Sequence, residues 1–344
     1  MGNRKLRTFA PIAAALAFAG ASAAEVQITG AGATFPNPIY QKWFSEYHKA
    51  HPDVQINYQA LGSGAGIKQV TEGTVDFGAS DAIMTEQQIA EFKTKQGTNI
   101  IAFPTVAGAD VPTYNLPGVQ GGLNFTPEAL AGIFLGTITK WNDPQLAKAN
   151  PGVKLPAADI VVVHRSDASG TTFCWTDYLA KVSPEWKSKV GTGAAVNWPV
   201  GIGAKGNDGV SGQVKQTENS IGYVELIYAE SNKLTYGNVK NSSGKFVKPE
   251  LSSITAAAAG AAKTMPDDFR ISITNQPGAN AYPISTFTWL LIPEKMKDPE
   301  KAKVMKDFVK WALTTGQTMA EPLTYAKLPK EVIAKEEKTL AKVQ

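Results

Sequence analysis

Three short segments place small residues and hydroxyls where a helix is due to begin. They are Gly30-Ala31-Gly32-Ala33-Thr34-Phe35-Pro36, Gly62-Ser63-Gly64-Ala65-Gly66 and Arg165-Ser166-Asp167-Ala168-Ser169-Gly170-Thr171. The first N–H groups of a helix have no partner inside it, and the helix dipole favours negative charge there. Glycine lets the backbone come close to a ligand. One such turn is ordinary capping. Three of them, one carrying Arg165, point to an oxyanion site. Arg165 offers a planar fork suited to a tetrahedral oxyanion, and Asp167, two residues on, is placed to hold that fork.

Asp81 closes the segment Val75-Asp76-Phe77-Gly78-Ala79-Ser80-Asp81. Alone it reads as a capping or surface carboxylate. Inside an anion site it would repel a fully ionised ligand and accept a hydrogen bond from one that keeps a proton. Phosphate at neutral pH keeps one or two protons, and sulfate keeps none. A site that demands such a bond discriminates by about 10⁴–10⁵. The expectation is selection of phosphate over sulfate by Asp81.

These residues need elements to hold them. Residues 28–32 read as a strand, and Ile39, Trp43, Phe44 and Tyr47 recur at helical spacing over 38–49. A strand over 54–59, a short helix over 63–71 and a strand over 75–79 follow. Thr85 caps a helix with Gln88 in the capping-box position, and Thr126-Pro127 opens another. Residues 99–103, 159–165, 221–228 and 285–292 read as strands, and 169–182, 298–313 and 330–343 as helices. This alternation predicts an α/β fold with mainly parallel sheets. The Pro/Gly-rich stretches 104–117 and 276–283 are predicted to be two chain crossings, so that the last segment returns to the first domain.

The 344 residues correspond to about two domains. With 43% hydrophobic and 19% charged residues, a core can form and bulk disorder is excluded. The single cysteine, Cys174, excludes an intramolecular disulfide and any multi-Cys metal site, and three histidines argue against a His-rich centre. Residues 1–24 read as a secretory signal peptide: Arg4, Lys5 and Arg7, an apolar stretch over 9–20, then small residues suited to cleavage after Ala23 or Ala24. No cysteine follows for a lipid anchor, so the expectation is an exported, soluble periplasmic protein. Removing those three charges from the 34 basic residues leaves 31 against 30 acidic ones, and the hint of a polyanion surface disappears. The seven tryptophans lack the basic interleaving of a nucleic-acid platform.

Several signals are set aside. Residues 201–206 fit G-x-G-x-x-G, but the stretch before them is interrupted by Pro199, so the expectation is a structural loop and no dinucleotide. His48 and His51 sit at a helix end. His164 lies on a buried strand and should point away from Arg165. Cys174 reads as a small buried hydrophobe. No cofactor or metal is expected.

The segments GAGATFP (30–36), VDFGASD (75–81), RSDASGT (165–171) and AKGNDG (204–209), with YQKW (40–43), GTITKWND (136–143) and IGYVE (221–225), resemble the periplasmic phosphate-binding proteins of high-affinity phosphate ABC transporters. The similarity spans the mature chain. It implies a two-lobed type II periplasmic-binding-protein fold, with residues 25–112 and 284–344 in one lobe and 113–283 in the other, joined by two crossings. It also implies phosphate binding by Thr34 through its hydroxyl, Phe35 through its N–H, Ser63, Asp81, Arg165, Ser169, Gly170 and Thr171, with Asp167 supporting Arg165. A monomer delivering inorganic phosphate to an inner-membrane permease, without turnover, is the function so implied. Two departures from the family pattern stand out: Gly64, where a second serine is common, and Ala168, where glycine is common. A binder of another oxyanion and a secreted phosphatase remain the rival readings.

Overall fold

The computed structural model describes residues 25–119 and 121–344. The signal peptide expected over residues 1–24 lies outside the described residues. The first segment alternates strand and helix as its periodicity dictates: β1 (Val26–Gly32), α1 (Asn37–Ala50), β2 (Val54–Ala60), α2 (Ser63–Glu72), β3 (Phe77–Ser80) and α3 (Glu86–Gln96). Ile39, Tyr40, Trp43, Phe44 and Tyr47 form the buried face of α1. The Thr85 hydroxyl accepts from the Gln88 N–H while the Gln88 side chain accepts from the Thr85 N–H, which completes the capping box of α3.

The middle of the chain contributes β4 (Ile100–Asn115), β5 (Asn124–Phe125), α4 (Pro127–Leu135), α5 (Pro144–Ala149), β6 (Val161–Arg165), α6 (Gly170–Val182) and α7 (Pro184–Lys189). Then come β7 (Ile202–Ala204), α8 (Gly206–Gln216), β8 (Ser220–Glu225), α9 (Leu226–Ser231), β9 (Thr235–Tyr236), β10 (Asn238–Lys240), β11 (Phe246–Val247) and α10 (Leu251–Ala262). The chain ends with β12 (Ser285–Pro293), α11 (Pro299–Leu313), two short 3₁₀ turns and α12 (Lys330–Leu340).

The strands order as β2-β1-β3-β12-β4-β8-β6-β7. The flanks are parallel: β1 pairs with β2 and β3, and β6 pairs with β7 and β8. The centre is antiparallel, because β12 runs against both β3 and β4, and β4 runs against β8. The expectation of mainly parallel sheets therefore holds for the flanks and fails at the centre.

The strand expected over 99–103 runs on to Asn115, through most of the stretch 104–117 predicted to be a chain crossing. Strand β4 continues through Pro104 and Pro112, pairing with β12 over residues 100–109 and with β8 over 110–115. A register shift in the β12–β4 ladder falls at Thr105, directly beside Pro104, which has no N–H to donate. The strand predicted over 221–228 stops at Glu225, whose side chain accepts from the Ile227 N–H and starts α9.

Two aromatic clusters anchor the halves. Tyr40, Phe44, Tyr58, Phe77 and Phe308 pack on the β1 side, while Phe134, Trp175, Trp198 and Tyr223 pack on the β6 side. The buried Trp43 indole donates to the Gly316 carbonyl at 2.8 Å, tying α1 to the turn after α11. Among the described residues no helix is long and apolar enough to cross a membrane.

Candidate functional site

The carboxyl ends of parallel strands are where ligands bind in open α/β sheets. The predicted residues lie at four such ends: Thr34 and Phe35 after β1, Ser63 after β2, Asp81 after β3, and Asp167 to Thr171 after β6. Helices α1 and α2 start without a side-chain cap, and the Gly62 turn before α2 holds φ at +101°, a left-handed angle suited to glycine. A Cβ there would also lie 2.4 Å from Asp167 Oδ2.

The structure brings the predicted residues into one network. Arg165, 3% exposed, donates from Nε to Asp167 Oδ1 at 2.8 Å, from Nη2 to Asp167 Oδ2 at 2.6 Å and from Nη1 to Thr171 Oγ1 at 3.3 Å. A guanidinium has five N–H donors, so two remain uncommitted. Asp167 also accepts from the Gly206 N–H. Burial alone would raise the Asp167 carboxyl, but the bond and charge of Arg165 outweigh it and hold the group below its usual range. Ser63 Oγ accepts from the Gly170 N–H at 3.0 Å and from the Asp81 N–H at 3.2 Å. Thus Ser63 is committed to protein partners on both sides of the site.

The hydroxyls share one electrostatic feature. Thr34 Oγ1 accepts from Asn207 Nδ2 at 2.9 Å and from the Asn207 N–H at 3.3 Å. Thr171 Oγ1 accepts from Arg165 and Asn207, and Ser169 Oγ accepts from the Thr172 N–H. A hydroxyl carries one donor beside its lone pairs. With protein N–H groups on the lone pairs, these hydroxyls have their own protons left to donate. The N–H groups of Thr34, Phe35 and Thr171 have no protein acceptor among the described residues.

Asp81 is the exception among these donors. It is 1% exposed; Oδ1 accepts from Thr288 Oγ1 at 2.9 Å, and Oδ2 has only the Ser63 hydroxyl at 3.5 Å. Burial pushes its carboxyl up to about 7, against the Thr288 bond and the Arg165 charge, which pull it down. Gly170 packs on this carboxylate: a Cβ there would lie 2.3 Å from Asp81 Oδ2.

Two residues of the network lay outside the sequence reading. Asn207 links Thr34 to Thr171, and the Glu225 N–H donates to its Oδ1, which fixes the amide with its donors towards the hydroxyls. It sits in the G-x-G-x-x-G neighbourhood that was expected to be a loop. That segment is instead β7 running into α8, with Gly206 at φ +72° starting the helix. No strand precedes the first glycine, so the rejection of a dinucleotide site rests on the same ground as before. Thr288 is the second, and its signal was a polar residue inside the apolar run of β12.

The set-aside residues lie elsewhere. His164 stacks on Trp198 at 4.9 Å, with burial pushing its pKa down. His48 Nδ1 pairs with the Val54 carbonyl, and His51 packs on Tyr47. Cys174 is buried.

The description "PBP superfamily domain" matches residues 19–315. The phosphate-binding protein PstS of Pasteurella multocida is 46% identical over 309 residues, covering 90% of this chain and 88% of that protein. Its counterpart in Methanocaldococcus jannaschii is 42% identical, covering 88% of this chain and 82% of that protein. A solved phosphate-binding protein from Stenotrophomonas maltophilia superposes with a TM-score of 0.69 at 18% identity, over 91% of this chain and 94% of that one, and so shares the fold. The parallel flanks, the crossed centre and these matches together place the chain in the PBP superfamily with the type II periplasmic-binding-protein fold, as a member of the phosphate-binding protein family.

Proposed function

We propose that this chain binds inorganic phosphate between two lobes and delivers it to an ABC-type importer, without chemical turnover. The observation that carries this reading is the polarity of the site. Thr34, Ser169, Thr171 and Arg165 have donors left over, the Thr34, Phe35 and Thr171 N–H groups are unpartnered, and Asp81 supplies the buried acceptor. That pattern suits a tetrahedral oxyanion that retains a proton. The relatives are named as binding proteins, in keeping with transport and not catalysis.

Residues 25–112 and 284–344 form one lobe in this proposal, and 113–283 the other. The hinge is where β4 passes from β12 to β8, beside the bond from the Asp110 N–H to the Ile284 carbonyl. Ligand contacts from both lobes favour the closed state. Docking on an inner-membrane permease then requires a signal peptide over 1–24 and a mature monomer in the periplasm. Charge-assisted hydrogen bonds contribute roughly 1.5–3 kcal/mol each, so a few of them support micromolar affinity or tighter. Titration calorimetry on ligand-stripped protein tests the reading. One phosphate per chain at micromolar affinity or better is expected; no phosphate heat, or steady hydrolysis of an aryl phosphate by protein free of phosphatase, would overturn it.

The two departures at Gly64 and Ala168 are matched to each other across the site. The Gly64 N–H donates to the Ala168 carbonyl at 2.9 Å, and a Cβ at Gly64 would lie 2.4 Å from the Ala168 Cβ. Gly64→Ser should therefore crowd the closed form. Overpacking of this kind costs roughly 1–3 kcal/mol, or about 5- to 150-fold in phosphate affinity. Adding Ala168→Gly should restore affinity to within a few-fold, as calorimetry on the single and double variants would read.

A further inference from the structure

Three consecutive carbonyls of the turn after β1 each accept a hydrogen bond from a tyrosine. Tyr58 donates to the Ala33 carbonyl at 2.7 Å, Tyr228 to the Thr34 carbonyl at 2.5 Å and Tyr325 to the Phe35 carbonyl at 2.6 Å. The tyrosines come from β2, from α9 and from the segment after the 3₁₀ turns. Burial pushes all three hydroxyls well above their usual range, so they stay protonated and donate.

The peptide unit is planar, and its carbonyl and N–H point in opposite directions. The Thr34 carbonyl and the Phe35 N–H belong to one such unit. The Thr34 carbonyl also takes the Asn37 N–H at 3.2 Å from its own turn, and the shorter Tyr228 bond adds to this in fixing the direction of the Phe35 N–H. A hydrogen bond at one end also polarises the unit and strengthens the donor at the other, by roughly 10–30% per bond. The Ala33 carbonyl stands in the same relation to the Thr34 N–H. The Phe35 carbonyl precedes Pro36, which has no N–H, so the Tyr325 bond anchors the turn without tuning a donor.

Tyr228 differs from Tyr58 in its origin. It sits on α9, directly after β8, whereas Thr34 follows β1 on the far side of β12 and β4. Its bond thus spans the two proposed lobes. We propose that Tyr228 is a positioning residue for the anion: it crosses the cleft to orient and polarise the Phe35 N–H, so that this donor reaches full strength only when the lobes are closed. This rests on the phosphate-binding reading above. The Tyr228 hydroxyl meets the backbone carbonyl of Thr34, and acts through the Thr34–Phe35 peptide.

Two readouts test it: phosphate dissociation by stopped flow, and the amide proton shifts of the Thr34 and Phe35 N–H groups in ¹⁵N-labelled, phosphate-bound protein. Tyr228→Phe keeps the ring and removes the donor. It should raise the dissociation rate about tenfold, change association less than about twofold, and move the Phe35 amide proton upfield. Tyr58→Phe should move the Thr34 amide proton and leave that of Phe35 in place. Tyr325→Phe should move neither. The inference falls if Tyr228→Phe leaves the Phe35 amide and the dissociation rate unchanged while the unaltered protein binds phosphate. It also falls if Tyr325→Phe reproduces both effects, since the bonds would then only brace the turn. Failure of the unaltered chain to bind phosphate would instead remove the site reading on which it rests.

Discussion

Arg165→Met should lower phosphate affinity by about 10²–10⁴-fold. The guanidinium is buried, and its fork is fixed by two bonds to Asp167 and one to Thr171, leaving two N–H groups uncommitted. Two charge-assisted bonds at roughly 1.5–3 kcal/mol each give that range. The variant should also be less stable, because breaking a buried pair by removing one partner costs about 3–5 kcal/mol. Asp167 would be left largely buried with the Gly206 N–H as its remaining support. The two effects can be separated. Arg165→Met combined with Asp167→Asn removes both charges and should recover much of the melting temperature while leaving phosphate binding lost. Recovery of binding in that double variant would show that Arg165 serves the fold and not the anion.

The second large effect concerns Asp81 and makes selectivity a function of pH. Without ligand, burial holds this carboxyl at about 7, raised from its ordinary 3.8. A raised carboxyl favours the folded state while protonated. That contribution is complete below about 3.8 and is lost as pH rises through about 7. The same titration governs which anion fits. Sulfate brings no proton, so it should bind only when Asp81 carries one. Its affinity should level off below pH 7 and fall about tenfold for each pH unit above it. Phosphate supplies its own proton to the ionised carboxylate and should vary only several-fold across the same interval. Asp81→Asn offers an amide that donates at any pH. It should bind sulfate with no pH dependence near neutrality and shrink the phosphate preference by about a hundredfold at pH 9. Calorimetry from pH 6 to 9 reads all of this; an unchanged sulfate profile in Asp81→Asn would remove Asp81 as the discriminator.

The parts of this molecule that were legible in the sequence are those encoded locally. The apolar face of α1, the Thr85 capping box and the Thr126-Pro127 helix start are each encoded within one short stretch of chain, and each forms as read. The turns after β1, β2 and β6 were legible for the same reason, as glycine and hydroxyls at helix starts. What escaped depends on distant partners. Prolines in β4 argue against a strand until β12 supplies a register shift beside Pro104. The stop in the apolar run after Ser220 is a local exception: Glu225, inside the run, takes the Ile227 N–H with its side chain and turns the chain helical. Asn207 matters through Thr34, 173 positions away, and Tyr228 through the same residue at 194. Asn207 lies in the AKGNDG segment, but nothing local says which partner it serves, and no local pattern marks Tyr228.

The central claim is that one buried site holds an oxyanion by its donors and chooses it by its proton. The direct measurement is a calorimetric titration of ligand-stripped protein with phosphate at pH 8, without sulfate and then with sulfate equimolar to the protein. At that pH Asp81, held at about 7, is mostly ionised, and sulfate can use only the roughly one-tenth of the protein that carries the proton. The account predicts one phosphate per chain in both titrations, with apparent affinities within a few-fold of each other. Loss of the phosphate signal in the presence of sulfate would contradict it.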